Sequence, residues 1–375
     1  MTFAPLRRAS SALAAALLVC AAAHADRIFL TNGTTIEGDV IRDTLQGVVY
    51  KAKSKAGEQT QDADGVLRIE FTKLPKLLET AEESVGDNNL ADAAEDFESY
   101  ADGVLSGEIK KDKPDWAPGH ALRRAIEVNQ SIASQESLGK VVVLADKLIE
   151  KLPDSRQAAF AFAAKAEALR ELGKQEDAAA AAAGFKQFVE TKGLSQAYKL
   201  EASLLEALLN PALRGAKRRE RVVEIAGQAG TQYPIVRSRA KVAEAETYIE
   251  GETKDFAKAL KIYQEVVKDP KADDLTLAGA YTGLGDCLFQ QGAEQLKAGA
   301  PEAPATLKEC VFAYMRVAVV YKDQARFVPK AMYYAGRAFD LMGEDQRPNA
   351  RTMYGRLIAQ FPGSNWAQEA RNQRR

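Results

Sequence analysis

The sequence predicts a mainly α fold: an α-solenoid of paired helices preceded by a small all-β barrel. Three observations carry this expectation. From Asp26 to Phe71 apolar and polar residues tend to alternate, which is the period of a strand. After Lys73-Leu74-Pro75 the apolar period lengthens to that of a helix and stays so to the end. Near the C-terminus, Ala331 to Phe361 reads as two short helices. Gly336 and Phe339 lie on the first, Gly343 closes it, and Ala350, Tyr354 and Leu357 recur on the second before Pro362. One such unit cannot bury its own apolar face, so neighbours must stack on it.

The chain opens with Arg7 and Arg8, an apolar run from Ala12 to Ala23, and Ala23-His24-Ala25. This is the pattern of a cleaved secretory leader over residues 1–25, too short to span a membrane. Leu17-Leu18-Val19-Cys20 also resembles a lipobox with Cys20 as the lipidated residue, but Val19 stands where that pattern wants a small side chain. No later run of about 18 apolar residues occurs, so no integral span is expected and the protein should be periplasmic or secreted. Lys+Arg number 51 against 52 Asp+Glu, a net charge of −1, which gives no electrostatic footprint for nucleic acid.

The barrel is expected over 26–72. Ile28 and Leu30 alternate with Phe29 and Thr31, and Asn32-Gly33 supplies a hairpin turn. Ile36, Val40 and Ile41 follow, with Gly38 placed for a bulge or bend. Gly47-Val48-Val49-Tyr50 makes a third strand, and Asp64-Gly65 turns the chain into Val66 to Phe71. Four or five strands in so short a length suggest a small barrel.

An irregular helical hairpin and linker are expected over 73–119, with Trp116 tucked against neighbouring helices. The main array is expected over 120–375. Its helix pairs break near Leu152-Pro153, Gly193, Tyr233-Pro234, Asp269-Pro270 and Phe361-Pro362. The first three intervals run about 36 to 40 residues, and the longer last one would hold two units plus an insertion from Ala293 to Thr306. Ala178 to Ala183 predicts a thin helix that lets neighbours approach closely.

Chemistry has few carriers. Past the leader only Cys287, Cys310 and His120 remain of the cysteines and histidines, too few for a Cys/His zinc cluster, so no metal or cofactor is expected. His120 follows Pro118-Gly119 at a helix start and reads as a solvated polar residue. Cys287 and Cys310 fall in one hairpin, either as a disulfide or as two buried thiols. No phosphate-binding loop, zinc-protease or nucleophile-elbow motif occurs in a suitable context. Arg214, Lys217, Arg218, Arg219 and Arg221 open a helix where positive charge opposes the macrodipole. They form either a patch for an anionic partner or a helix surface paired with Glu220 and Glu224.

Two resemblances add to this reading. Arg27 to Gly33 followed by Ile36-Glu37-Gly38-Asp39-Val40 resembles the SH3-like and Sm-like small barrels, which implies their fold and not their RNA ligand. Tyr281, Leu284, Gly285, Leu288 and Gly292 fall in phase with the first helix of a tetratricopeptide repeat. The C-terminal region, with Phe361 to Ala367, resembles the envelope tetratricopeptide proteins of cell division and outer-membrane assembly, with Ser364 capping a last helix and Trp366 covering the final repeat.

That resemblance implies a concave binding face lined by first helices. Thr282, Asp286, Phe289 and Gln290 would lie on it in one repeat, and Tyr333, Arg337 and Asp340 in the last. The alternative is that Phe289 and Tyr333 pack against adjoining repeats. The expected function is an exported, non-enzymatic scaffold that joins envelope proteins. The competing expectation is an enzyme or glycan-binding protein with its site at the barrel or its junction with the array.

Overall fold

The computed structural model describes residues 25–52, 56–250 and 254–373. Apart from Ala25, the expected leader lies outside these residues, and so does the lipobox reading of Cys20.

Five strands form one antiparallel sheet: β1 (Arg27–Leu30), β2 (Thr35–Asp43), β3 (Gly47–Ala52), β4 (Glu58–Asp62) and β5 (Val66–Glu70), in the order β4-β3-β2-β1-β5. The β1–β2 turn is built by Asn32, whose Oδ1 accepts from Thr34 N–H at 2.9 Å, and by Gly33, which takes the left-handed φ of 87° such a turn demands. β2 pairs with β1 at one end and β3 at the other, and a register shift between Val40 and Arg42 bends it. Gly38 lies against the neighbouring strand, where a Cβ would come 2.7 Å from Lys51 O. The strand the sequence pattern does not single out is β4, because Glu-Gln-Thr-Gln-Asp has no apolar alternation and is held by its ladder to β3.

Fifteen helices follow among the described residues. The first hairpin is α1 (Lys76–Gly86) with α2 (Leu90–Leu105). Six further pairs continue it: α3 (Ala117–Ile132) with α4 (Gln135–Lys151), α5 (Gln157–Glu171) with α6 (Gln175–Thr191), α7 (Gln196–Leu209) with α8 (Ala216–Ala229), α9 (Pro234–Ile249) with α10 (Phe256–Val266), α11 (Asp274–Lys297) with α12 (Ala303–Val320), and α13 (Val328–Leu341) with α14 (Arg347–Gln360). A single helix, α15 (Asn365–Gln373), ends the array. Each helix packs on the next, and odd helices also touch the next odd one, as in α3 with α5, α9 with α11 and α13 with α15. The array therefore curves with its odd helices inside.

One expectation needs correcting. The residues read as an insertion from Ala293 to Thr306 are mostly helical. α11 runs on to Lys297, and only five residues separate it from α12. The segment from Ser106 to Trp116 is anchored at several points: Tyr100 Oη donates to Asp112 O at 3.0 Å, Asp112 Oδ2 accepts from Lys76 N–H at 3.1 Å, and Trp116 stacks on Phe71 with centroids 3.6 Å apart.

The buried apolar side chains form a series of clusters. The first joins Ile28, Val40, Val48 and Val66 of the sheet to Leu78, Phe97, Leu122, Leu144 and other residues of α1–α5, so sheet and first helices share one core. Later clusters centre on Phe162 and Phe185 in α5–α7, on Val222 and Ile225 in α7–α9, on Tyr263 in α9–α11, and on Tyr314 and Tyr354 in α11–α15. Small residues set the seams. Ala178, Ala181 and Ala182 are buried, and α6 approaches Phe162 closely enough that a Cβ on Gly184 would lie 3.6 Å from its ring. Gly285 receives the ring of Tyr314 and Gly336 that of Tyr354, where an added Cβ would lie 2.6 Å and 2.5 Å from the nearest ring atom.

Candidate protein-binding groove

The expected groove residues lie on odd helices, but several are committed to the fold. Thr282 is 4% exposed, and its hydroxyl donates back to Ala278 O at 2.8 Å. Asp286 accepts from Tyr314 Oη at 2.7 Å and from Lys330 Nζ at 2.6 Å. Asp340 is exposed but accepts from Tyr354 Oη at 2.6 Å, the same tyrosine-to-aspartate bond one repeat on. Gln290 donates to Glu294 on its own helix at 2.7 Å. Tyr333 is 4% exposed, and its hydroxyl accepts from Arg337 Nη1 at 3.2 Å. Its ring packs 5.4 Å from Trp366 and 6.1 Å from Tyr354. The packing alternative thus holds for Tyr333, which offers a partner little more than an edge.

The accessible aromatic surface belongs to its neighbours. Tyr334 is half-buried and lies 5.3 Å from Phe289, 5.2 Å from Tyr333 and 5.6 Å from Trp366 in edge-to-face contacts. Ser364 places Trp366, since its Oγ accepts from Ala367 N–H at 3.1 Å and opens α15. Tyr333, Tyr334, Asn365, Trp366 and Glu369 line a cleft of 380 Å³ at the end of the inner face. Tyr334 follows Tyr333 by one position, so a heptad-like reading of α13 that assigns Tyr333 to the groove turns Tyr334 away. The lone helix α15 beyond the last pair gives Tyr334 its partner.

Further along the inner face the groups are charged. Arg239 on α9 pairs with Glu201 on α7 at 3.2 Å and with Asp273 at the start of α11 at 2.5 Å. Burial pushes Glu201 up despite this arginine, whereas for Asp273 the arginine and the Thr276 bonds overcome burial and hold its carboxyl below the usual range.

At the junction of sheet and array the side chains form a closed network. Asp43 at the end of β2 accepts from Arg156 Nε at 2.6 Å and from Gln157 Nε2 at 2.6 Å. Gln157 accepts in turn from Arg123, Arg123 and Arg124 both pair with Glu127, and Arg124 grips Glu82 through two bonds of 2.6 and 2.8 Å. His120 is half-buried here, with the rings of Phe71 and Trp116 edge-to-face to it at centroid distances of 5.0 and 5.8 Å. Burial and the nearby Arg124 and Arg123 push its pKa down to about 4 against the opposing pull of Glu127 and Asp43. The expectation of a solvated His120 is therefore corrected in part, because Phe71, just past the last strand, and Trp116 cover one side of its ring.

Cys287 and Cys310 are separate buried thiols, so the disulfide is not formed. Cys310 Sγ donates to Gly285 O at 3.5 Å, and burial pushes Cys287 up to about 12 and Cys310 higher still. Among the described residues no group of three His, Cys, Asp or Glu side chains could hold a metal ion, and no helix is long and apolar enough to cross a membrane.

In the basic cluster, Arg218 donates to Leu213 O and pairs with Glu250 at 2.8 Å, Arg219 bonds Thr247 and lies 4.0 Å over Tyr248, and Arg221 pairs with Glu224 at 2.6 Å. Arg214 and Lys217 are exposed and have no partner among the described residues.

Residues 330–364, which comprise α13, α14 and the turn into α15, match the tetratricopeptide-repeat family. No curated protein matches the chain. The solved structures that match include the apo form of the quorum sensor NprR from B. thuringiensis, at 12% identity and a TM-score of 0.40, over 78% of this chain and 79% of that one.

Proposed function

We propose that this protein is an exported, non-enzymatic adaptor that binds a segment of another envelope protein on the inner face of its helical array, at the aromatic cleft. The observation that carries this reading is the group of Phe289, Tyr334 and Trp366, three aromatic rings assembled from α11, α13 and α15 beside Asn365, Glu369 and Arg337. Rigid aromatic edges beside a few charged groups suit the capture of a peptide segment, because they give large contact area with little rotamer freedom to lose. The family match at 330–364 takes in Tyr334 on α13 and ends just before Trp366 on α15. Export rests on the leader pattern of residues 1–25, and the envelope setting on the resemblance of the C-terminal region.

The groups that could do covalent chemistry are otherwise engaged. Both thiols are held protonated, and His120 packs beside aromatic rings and arginines that push its pKa down. The junction that an enzyme or glycan-binding reading would need is filled by the Asp43–Arg156–Gln157 network.

The test is crosslinked affinity purification of the tagged protein from its own cell envelope, beside a Tyr334→Ala/Trp366→Ala variant shown folded by circular dichroism. A defined protein recovered with the parent and lost with the variant supports the cleft. Recovery indifferent to the two changes moves the site elsewhere on the array.

A further inference from the structure

The array meets itself at two places. Arg326, in the connection between α12 and α13, forms an ion pair with Glu167 on α5, 159 positions earlier in the chain. Arg326 also faces Glu171 of α5 and Glu246 of α9, with Arg170 of α5 as the like charge beside it. Burial works against its guanidinium charge, but these carboxylates outweigh burial and keep it firmly protonated. For Glu171 and Glu246, burial prevails over Arg326 and pushes both carboxyls up. The second contact lies on the rim. Gly363, in the turn between α14 and α15, sits against the turn between α3 and α4, where an added Cβ would lie 3.0 Å from Ser134 Cβ and 3.4 Å from Ile132 O.

We propose that these two contacts form a clasp that closes the array into a ring and gates entry to its inner face. The seams between successive helices are continuous apolar clusters, but none bridges the closure. The cluster of α11–α15 contains no residue of α3–α5, and the cluster of the sheet and α1–α5 contains none of α13–α15. Among the described residues, the contacts that join the ends include one ion pair, with side chains 29% and 26% exposed, and one turn resting on another. An ion pair that keeps about a quarter of its surface in water, with no apolar cluster behind it, still loosens in salt, so the clasp is the part of the ring that opens first. Opening it separates α13–α15, which carry the aromatic cleft, from α3–α5, and gives a partner chain a way in without threading an end. The gating role rests on the reading of the inner face as the binding surface; the clasp itself does not.

The experiment uses the full chain with Ser134→Cys and Gly363→Cys, whose Cβ atoms, 3.0 Å apart on this backbone, would need to separate by roughly 0.8 Å to reach the ~3.8 Å of a disulfide. The native Cys287 and Cys310 are buried and do not compete. In a glutathione redox buffer, the linked peptide should appear by mass spectrometry. Adding Arg326→Ala should slow its formation about fivefold, the scale of one partly exposed ion pair, and Arg326→Lys should recover part of the rate. Should Arg326→Ala lose its helical signal, Glu167→Gln probes the same pair with the same expected slowing. The clasp is overturned if the folded double-cysteine protein forms no such link, or links at a rate indifferent to both Arg326 and Glu167. No partner enters the experiment, so its failure leaves the binding reading standing, and loss of that reading leaves the clasp.

Discussion

Replacing Gly336 with alanine separates two opposed effects of one methyl group. In the interior of α13, alanine is favoured over glycine by about 1 kcal/mol, because glycine surrenders more backbone freedom. At this position the methyl carbon would lie 2.5 Å from Cε1 of Tyr354 and 2.9 Å from both Cδ1 and Cζ. The ring cannot retreat easily, since Tyr354 is 2% exposed and its hydroxyl is tied to Asp340. Overpacking of this kind costs about 1–3 kcal/mol. Gly355, in the interior of α14 of the same repeat, is the matched control, for a Cβ there meets nothing within 4 Å. Gly355→Ala should stabilise by up to about 1 kcal/mol, and Gly336→Ala should fall ~1–3 kcal/mol below it, since the helix preference cancels between them. With a urea dependence of about 1–3 kcal/mol per molar, the two midpoints should differ by roughly 1 M when followed by circular dichroism and tryptophan fluorescence. Equal midpoints would refute the claim that a bare glycine edge is what seats the tyrosine.

Three further outcomes follow from the buried polar groups. His120 should titrate near pH 4 by NMR rather than near 6.5; because its folded pKa lies below the unfolded one, stability is full above about pH 6.5 and declines by up to ~3 kcal/mol as the pH falls to 4. His120→Gln should flatten that decline, and a native midpoint near 6.5 would contradict the burial. Asp43→Ala should destabilise by about 3–5 kcal/mol in denaturant unfolding, because it strands the Arg156 guanidinium in a site where that side chain is only 10% exposed. Cys287 and Cys310 should resist a thiol reagent in the native protein and react promptly in denaturant, and rapid native labelling of either would mean that the α11–α12 seam is open.

The helical array is legible in the sequence because its punctuation is local. Pro153, Gly193, Pro270 and Pro362 follow helix ends and Pro234 opens α9, and the glycines opposite tyrosines advertise close seams. Strand β4 escapes a periodicity reading because it is held mainly by its backbone ladder to β3 and an exposed Arg42–Glu58 pair, neither of which leaves an apolar alternation in its sequence. The extra length of α11 escapes because Gly292, which in a shorter repeat would precede the turn, is here packed against Leu307, with a Cβ position 2.8 Å from its Cδ2. The candidate groove is legible only in part. Helical phase places Phe289 and Tyr333 on the inner face, but which tyrosine remains accessible depends on where α15 lies, and that is a long-range fact. The partial burial of His120 and the meeting of Arg326 with Glu167 are of the same kind, because neither residue has a sequence neighbour that hints at its partner.

Burial in a file of small cores rather than one large one has a mechanical meaning. Once the clasp is open, beads coupled in series share any tension equally, and a slim one yields next. Among the slimmer is the bead around Val222 and Ile225, where α7–α9 contribute mostly alanine, leucine and valine and no fully buried ring. Strain applied at either end, by a tethered sheet module or by cargo at the aromatic cleft, would gather in that middle stretch. The stout ends, rich in buried tyrosine and phenylalanine, would keep their shape while the waist bends between them.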